Sequence, residues 1–227
     1  MPKKAASTEP TEGKLSMLAA VVAKLNKEFG SGVVRLGSDD YLKVDRIPTG
    51  SYVLDFITGG GIPRGRITEI YGQYSACKTY LAWQIVVQIQ KMFTGVVLYV
   101  NLEDTFDSEH VQRIGVDLSR VVVMRPNVAE DAVNMTYAAL KEGVFDAIIV
   151  DSIAALLPKA EAEADAEKDQ MGRMGKLTSA MMRKMVNGNT NKTTIILINQ
   201  ERDKLGVMWG EKSAPTGGRA IPYYASQ

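Results

Sequence analysis

The chain has 227 residues, of which 45% are hydrophobic and 23% are charged, and its formal net charge is +1. This is the composition of an ordinary globular protein, and it provides no overall basic field that would attract nucleic acid or a membrane surface. A single cysteine excludes an internal disulfide, and no apolar run reaches the roughly 18 residues that a membrane span needs. The polar start does not resemble a secretory signal, so we expect a soluble cytoplasmic protein.

The N-terminal region predicts a tail followed by one amphipathic helix. Residues 1–12 are small and polar, which is typical of a disordered tail. Within residues 13–36, apolar side chains recur at alternating steps of three and four, up to a glycine that ends the pattern. These side chains are Leu15, Leu18, Val22, Leu25 and Phe29. The stripe packs either on its own domain or on another subunit, and its spacing alone leaves both alternatives open.

From residue 50 onward, the pattern of strand, turn and helix repeats. Continuous β-branched runs predict strands that are buried on both faces of a parallel sheet. They span residues 67–71, 96–100, 120–124, 146–151 and 193–199. Helices are predicted over residues 78–92, 128–142 and 173–186. This alternation predicts an α/β fold with a mostly parallel central sheet and ligands at the carboxyl ends of its strands. The charged segment 158–176 is either a solvated helix or a loop that a partner orders.

The stretch EIYGQYSACKTYLAWQIV, residues 69–86, nearly matches the phosphate-binding loop pattern G-x-x-x-x-G-K-[ST]. In such a loop, backbone N–H groups and a helix N-terminus surround phosphates, a lysine reaches the terminal ones and a hydroxyl holds Mg²⁺. Gly72, Lys78 and Thr79 occupy the required places, whereas Cys77 stands where the pattern has glycine. The match predicts a nucleotide site in a modified form.

Further polar residues follow the predicted strands. Asp151 ends the strand AIIVD, where a second acidic group would organise Mg²⁺. Glu103 and Asp104 follow VVLYVNL, and a carboxylate there would polarise an attacking water as a general base. Gln200 ends the predicted strand in IILINQ, in a position to sense a γ-phosphate. Each residue alone fits a surface position, but together at one sheet edge they favour an ATPase.

Four segments resemble corresponding segments of the bacterial and phage RecA recombinase family. They are VDRIPTGSYVLDFITGGGIPRGRITEIYGQYSACKT, VDSIAALLPKAEAE, INQERDKLGVMWG and TGGRAIPYYAS, in the family's order and with nearly its spacing. The resemblance runs from about residue 15 to residue 226. It implies a RecA-like P-loop ATPase core over residues 37–227, preceded by a helix and linker over residues 13–36 that pack on the neighbouring subunit.

The resemblance also implies an ATP and Mg²⁺ site. Catalysis would rest on Glu103, Lys78 and Gln200, with Thr79 and Asp151 at the metal. The implied nucleotide-binding residues are Gly72, Gln73, Tyr74, Ser75, Ala76, Cys77, Lys78, Thr79, Tyr80, Asp107, His110 and Asp151. Asp107 matches a residue that contacts adenine, and His110 stands where the family has an adenine-stacking tyrosine. Because the histidine ring offers less stacking area than the tyrosine ring, we expect a weaker adenine pocket.

Two DNA-binding loops correspond to about residues 160–175 and 201–218. The implied DNA-binding residues are Lys176, Arg183, Arg202, Lys204, Trp209, Gly217, Gly218 and Arg219. Cations that neutralise phosphates, together with backbone and apolar contacts, suit single-stranded DNA. The second loop also carries acidic residues, namely Glu201, Asp203 and Glu211. We therefore expect strong salt dependence and modest affinity from a lone subunit.

The chain departs from the family pattern at two places. If the loop demands φ > 0 at Cys77, a residue other than glycine costs on the order of 1–3 kcal/mol there. We expect a competent site, the alternative being a relic that binds nucleotide poorly. The second departure is the final IPYYASQ, which resembles the start of a family strand. We expect the core to be incomplete at this end, and hydrolysis to be slow without the family's trans-acting lysines.

The resulting primary hypothesis is an ATP-dependent recombinase that forms filaments on single-stranded DNA and pairs it with homologous double-stranded DNA. The alternative is a weak or inactive RecA-like subunit that assembles with a complete recombinase or a complementing polypeptide. A hexameric helicase or clock-type ATPase is a third possibility, which the TGG and GVMWG segments disfavour.

Overall fold

The computed structural model describes residues 12–162, 173–203 and 213–227. The chain forms two compact units, Met1–Lys43 and Val44–Gln227. The predicted tail lies outside the described residues except for Glu12, which begins the first helix. The predicted boundary after residue 36, between the N-terminal helix with its linker and the ATPase core, stays a prediction.

In the first unit, helix α1 (Glu12–Phe29) forms where the apolar spacing predicts it. Gly30 ends the helix with φ +118°, a conformation that favours glycine. Its N–H donates to the carbonyl of Asn26 at 3.1 Å. The Asn26 side chain in turn bonds both backbone groups of Val34, each at 2.8 Å. The helix end and the following segment are therefore tied together.

The predicted apolar stripe of α1 is only partly covered. Val22 and Leu25 are half-buried, whereas Leu15, Leu18 and Phe29 are 53%, 46% and 64% exposed. Exposed apolar side chains arranged on one helix face are typical of a surface that another polypeptide covers.

The second unit alternates strands and helices. Its strands are β1 (Arg46–Ile47), β2 (Ile62–Pro63), β3 (Ile67–Gly72), β4 (Val97–Asn101), β5 (Val121–Met124), β6 (Ala147–Asp151), β7 (Thr194–Asp203) and β8 (Ser213–Pro215). Its helices are α2 (Tyr52–Ile57), α3 (Lys78–Met92), α4 (Ser108–Ile114), α5 (Ala129–Glu142), α6 (Lys159–Ala162), α7 (Arg173–Gly188) and α8 (Ala220–Tyr224). Each strand and helix predicted between residues 67 and 199 is found, with ends within a few residues of those predicted. No helix in the described ranges is long and apolar enough to cross a membrane.

The central sheet has the strand order β3-β7-β6-β4-β5, and every pair along this order is parallel. Strand β8 pairs with the end of β7 in the antiparallel sense. Strands β1 and β2 form a separate antiparallel pair. The predicted α/β class with a mostly parallel sheet is confirmed.

Both faces of the sheet are buried under helices. Leu98 and Val100 of β4 belong to the apolar core that includes residues of α5 and α7. Val97 and Tyr99 of the same strand belong to the core that includes residues of α3. Because successive side chains of a strand point to opposite faces, two covered faces require an apolar residue at nearly every position. Burial on both faces therefore explains why the strand sequences are continuous apolar runs rather than alternating apolar and polar residues.

The C-terminal segment corrects one prediction. IPYYASQ does not begin as a strand, since Ala220–Tyr224 is helical and Ile221 is fully buried in the core beside α7. The β propensity of the paired tyrosines gives way to this packing. Only the last two residues follow β3: Ser226 N–H donates to the carbonyl of Ile67 at 2.8 Å, and the carbonyl of Gln227 accepts from the Glu69 N–H at 2.9 Å.

Candidate nucleotide-binding site

A loop of five residues joins β3 to α3. It begins after Gly72, and α3 starts at Lys78. The Lys78 ammonium donates to the carbonyls of Gly72 at 3.2 Å and Gln73 at 2.7 Å, which places its charge beside the loop backbone. A strand, a tight loop and a helix N-terminus in this order form a phosphate-binding arrangement.

Cys77 occupies the left-handed region, with φ 57° and ψ 26°, directly before α3. The loop therefore does demand φ > 0 at this position, in a region that favours glycine. An L-residue in the left-handed helical conformation costs about 1–2 kcal/mol. The Cys77 side chain is exposed and also lines a cavity beside the loop.

Asp151 ends β6 and is 1% exposed. One carboxylate oxygen, Oδ2, accepts hydrogen bonds from the Thr79 hydroxyl at 2.8 Å and from the Tyr99 hydroxyl at 2.7 Å. Burial raises the pKa of Asp151 above its usual range, although the two hydroxyl donors oppose the shift. Burial and the nearby Asp151 charge likewise raise the pKa of Tyr99, so its hydroxyl remains a donor. Asp151 thus ties the start of α3 to the sheet.

Glu103 lies two residues after β4 and contacts one residue of β7 and one residue that follows β6. Its Oε1 atom accepts from the Gln200 side-chain amide at 3.0 Å and from the Ser152 hydroxyl. Gln200 lies in β7 opposite Gly72 of β3. The parallel pairing of β3, β7, β6 and β4 therefore brings Glu103, Asp151 and Gln200 together beside the loop that follows β3.

These groups surround a cavity of about 330 Å³. A volume of this size lies within the range of small-molecule sites. The lining residues are Tyr74, Ser75, Ala76, Cys77, Lys78, Thr79, Glu103, Thr105, Asp151, Ile198 and Gln200. All three predicted catalytic residues and both predicted metal residues are among them.

The predicted adenine contacts lie apart from this lining. Asp107 caps the N-terminus of α4, where its carboxylate accepts from the His110 backbone N–H at 3.1 Å. His110 is exposed, as is Tyr80, whose hydroxyl accepts from Gln84 at 2.9 Å. Asp104 forms an ion pair with Arg125 at 2.9 Å. The adenine roles of Asp107 and His110 stay predictions.

The residues present fit a magnesium ion bound together with phosphates. Among the described residues, no group of three or more His, Cys, Asp or Glu side chains could hold a metal ion by itself. Mg²⁺ usually takes one or two protein oxygens, with water and substrate phosphates completing its octahedron. The adjacent oxygens of Thr79 and Asp151 match that small protein contribution.

A hydrogen-bonded link runs from the cavity to the hairpin formed by β7 and β8. The Asn199 side-chain amide donates to Glu69 at 2.8 Å and to the carbonyl of Thr216 at 2.9 Å. The Thr216 N–H donates to the carbonyl of Gln200 at 3.1 Å. Burial raises the pKa of Glu69, and the Asn199 hydrogen bond opposes that shift. The side chain of Gln200 therefore faces the cavity, and its backbone carbonyl bonds to Thr216, the residue that directly follows β8.

Comparison with known proteins agrees with this geometry. The family model described as the RecA N-terminal domain matches residues 16–227. The chain belongs to the RecA family. It is 39% identical to Protein RecA of Chloroherpeton thalassium over 234 residues, covering 100% of this chain and 65% of that protein. It is 40% identical to Protein RecA of Fusobacterium nucleatum over 219 residues, covering 95% of this chain and 57% of that protein. The chain thus spans about three fifths of the length of these relatives.

Several of the DNA-binding residues implied by the RecA resemblance lie around α7. Lys176 and Arg183 are exposed on that helix, separated by roughly 10 Å along its axis at 1.5 Å per residue. The turn after β8 packs on the start of α7: a Cβ added to Gly217 would lie 3.1 Å from the Thr178 hydroxyl, and one added to Gly218 would lie 3.9 Å from Gly175. This packing brings the turn close to the helix segment that carries Lys176.

The other implied DNA-binding residues are Arg202, Arg219, Lys204 and Trp209. Arg202 is exposed near the end of β7, where it pairs with Ala214 of β8. Arg219 is exposed directly before α8. Lys204 and Trp209 lie outside the described residues. The DNA-binding role of this set stays a prediction.

Sequence reasoning missed four residues that hold the site together: Tyr99, Ser152, Asn199 and Thr216. A signal existed for Tyr99, because a tyrosine in a strand buried on both faces needs a partner for its hydroxyl. Ser152 directly follows Asp151, so its proximity was readable, but its bond to Glu103 depends on how β4 and β6 pair. Thr216 reaches Asn199 only through the hairpin.

Replacing Cys77 by glycine tests the strain at the loop. We expect Cys77→Gly to raise the free energy of unfolding by about 0.5–1 kcal/mol, because relief of the left-handed strain exceeds the added entropy of the unfolded chain. Urea denaturation measures the change. Cys77→Ala is the matched control, since it keeps a Cβ and should leave stability near wild type. Equal values for the two variants would contradict the assigned strain.

Removing the Tyr99 hydroxyl tests the Asp151 cluster. We expect Tyr99→Phe to lower the free energy of unfolding by about 1–3 kcal/mol, because a buried carboxylate loses one of its two hydroxyl donors. Tyr223→Phe is the control, since Tyr223 is 78% exposed. If urea denaturation gives the same stability for both variants, the Tyr99 bond does not support Asp151.

Proposed function

We propose that this chain is a DNA-dependent ATPase that forms helical filaments on single-stranded DNA and pairs it with homologous double-stranded DNA in recombination and repair. The observation that carries the proposal is the position of Gln200. Its side chain donates to Glu103 at the nucleotide cavity, and its carbonyl accepts from Thr216 beside the β7–β8 hairpin. Membership of the RecA family supports the same class of reaction.

ATP binds with its phosphates at the loop between Gly72 and Lys78. Backbone N–H groups at the start of α3 face the phosphates, and the helix dipole favours their negative charge. The Lys78 ammonium exchanges the loop carbonyls for terminal phosphate oxygens. Thr79 and Asp151 hold Mg²⁺, which neutralises phosphate charge when bound.

Glu103 acts as the general base for hydrolysis. Its carboxylate takes a proton from a water whose oxygen attacks the γ-phosphorus, while the bond to the β–γ bridging oxygen breaks and its electron pair leaves with ADP. The Ser152 and Gln200 side chains both donate to Oε1. The Ser152 bond persists when ATP is bound and orients the carboxylate so that Oε2 faces the attacking water.

Gln200 transmits the state of the nucleotide to the DNA-binding region. When a γ-phosphate is present, the Gln200 amide donates to it and releases Glu103. Any displacement of Gln200 acts on Thr216 and on the pairing of Glu201 with Pro215. The hairpin and the turn beside α7 therefore differ between ATP and ADP states, which is the differential contact that ligand coupling requires.

The exposed cations around α7 and the hairpin bind the DNA backbone. Lys176, Arg183 and Arg219 neutralise phosphates without reading the bases, which suits binding to any single-stranded sequence. Because the chain has a net charge of only +1, affinity depends on this local set and falls steeply as salt increases.

Self-assembly uses exposed apolar surfaces. Leu15, Leu18 and Phe29 of α1 are exposed on one side of the first unit, and Tyr52 and Phe56 of α2 are 95% and 88% exposed in the second. A head-to-tail contact between different surfaces of identical subunits produces an open helical filament when it does not close into a ring. Burying such side chains supplies the apolar area that an association of this kind needs.

The proposal is tested by measuring ATP hydrolysis with and without long single-stranded DNA. We expect DNA to stimulate turnover by wild type and Lys78→Ala to reduce that turnover by at least ~100-fold, since it removes the phosphate-binding cation. Lys91→Ala is the matched control, because Lys91 is an exposed lysine near the end of the same helix.

A basal rate in wild type that equals that of Lys78→Ala, with no response to DNA, would contradict the proposal. That outcome would favour the alternative of a non-catalytic subunit that assembles with a complete recombinase. Equal loss in Lys78→Ala and Lys91→Ala would show that the effect does not come from the phosphate-binding position.

A further inference from the structure

A second cavity, of about 340 Å³, lies between α5 and α7. Its lining residues are Tyr137, Ala180, Arg183, Lys184 and Asn187. None of them lines the nucleotide cavity. Both helices pack on the sheet face opposite to α3. The cavity is therefore separate from the ATP site.

Tyr137 lines this cavity and contacts two lysines, of which Lys184 is in the lining and Lys141 lies beside it on the Tyr137 ring. The ammonium of Lys141 lies 5.5 Å from the Tyr137 ring centroid, and that of Lys184 lies 5.7 Å from it. Lys184 also donates to the Asn134 side-chain oxygen at 2.7 Å. A Cβ added to Gly188 would lie 2.6 Å from the ring, so the α7 backbone packs directly against Tyr137. Both lysines are thus held beside the Tyr137 ring, which reduces the entropy lost when they bind an anion.

The charge around the cavity is positive. Helix α7 carries Arg173, Lys176, Arg183 and Lys184 and has no acidic residue. The acidic residues of α5 are Glu130, Asp131 and Glu142, and the Glu130 carboxylate already accepts from the Lys159 N–H at 2.9 Å. None of the ion pairs found among the described residues uses Lys141, Arg183 or Lys184. Three exposed cations around one cavity favour an anionic ligand.

We propose that this α5–α7 cavity binds backbone phosphates of single-stranded DNA and extends the DNA path along α7. The inference rests on the proposed DNA-binding function, because Arg183 belongs both to the implied DNA-binding set and to the cavity lining. The Arg183 guanidinium is suited to bidentate contact with a phosphate, and Lys141 and Lys184 add point charges. The row from Lys184 back to Lys176 favours a nucleic acid over an acidic peptide, because it follows one helix toward the turn after β8.

The salt dependence of DNA binding tests this site. Binding of a fluorescently labelled oligo-dT is followed by anisotropy over a series of KCl concentrations. We expect the double variant Lys141→Gln/Lys184→Gln to lower the slope of log K against log[KCl] by about 1.4, since each single-strand phosphate contact contributes about 0.7. Lys91→Gln removes the same kind of charge on the opposite sheet face and should keep the wild-type slope. The double variant should keep the DNA-free ATPase rate.

The outcomes separate this inference from the proposed function. If wild type binds DNA and Arg202→Gln weakens binding while the double variant matches wild type in affinity and slope, the cavity site is overturned and the proposed function stands. If wild type does not bind the oligonucleotide even at low salt, both fall. If the double variant loses affinity for polyglutamate but not for oligo-dT, the ligand is an acidic polypeptide and the assignment to DNA is overturned.

Discussion

The parallel register of the central sheet is the constraint on which the candidate site depends. Asn101 lies opposite Asp151, and Gly72 lies opposite Gln200. Residues that are distant in sequence therefore leave the sheet at one edge and reach a common cavity. A slip of one residue would turn each side chain to the other face. The same register leaves Glu103, which lies two residues after β4, within reach of both Ser152 and Gln200.

The site contains groups that are unfavourable for folding by themselves. Asp151 is almost fully buried and its pKa is raised, so its ionised form reduces folding stability at any pH above that pKa. Two hydroxyl donors offset part of this penalty, and a bound cation would offset more. Cys77 adds backbone strain in the neighbouring loop. Strain and buried charge of this kind concentrate at functional sites, where the surrounding fold supports them.

The sequence was sufficient for the fold class, the main strands and the long helices, because apolar runs and helical spacing report burial directly. It also predicted that Lys78, Thr79 and Asp151 lie close together, and all three line one cavity, since strand ends and a loop pattern locate them. It failed at IPYYASQ, where burial of Ile221 overrides local propensity. It also missed the roles of Tyr99 and Asn199, because a hydrogen bond between strands depends on a pairing order that no single strand encodes.

We propose that nucleotide binding at the loop after β3 is transmitted through Gln200 to the hairpin. Amide hydrogen exchange with and without Mg²⁺ and a non-hydrolysable ATP analogue would detect this transmission. In wild type, we expect slower exchange both in the loop over residues 73–79 and at the Thr216 amide, and in Gln200→Ala we expect slower exchange in the loop alone. Unchanged exchange in the wild-type loop would contradict nucleotide binding there, and equal protection of Thr216 in both proteins would contradict transmission through Gln200.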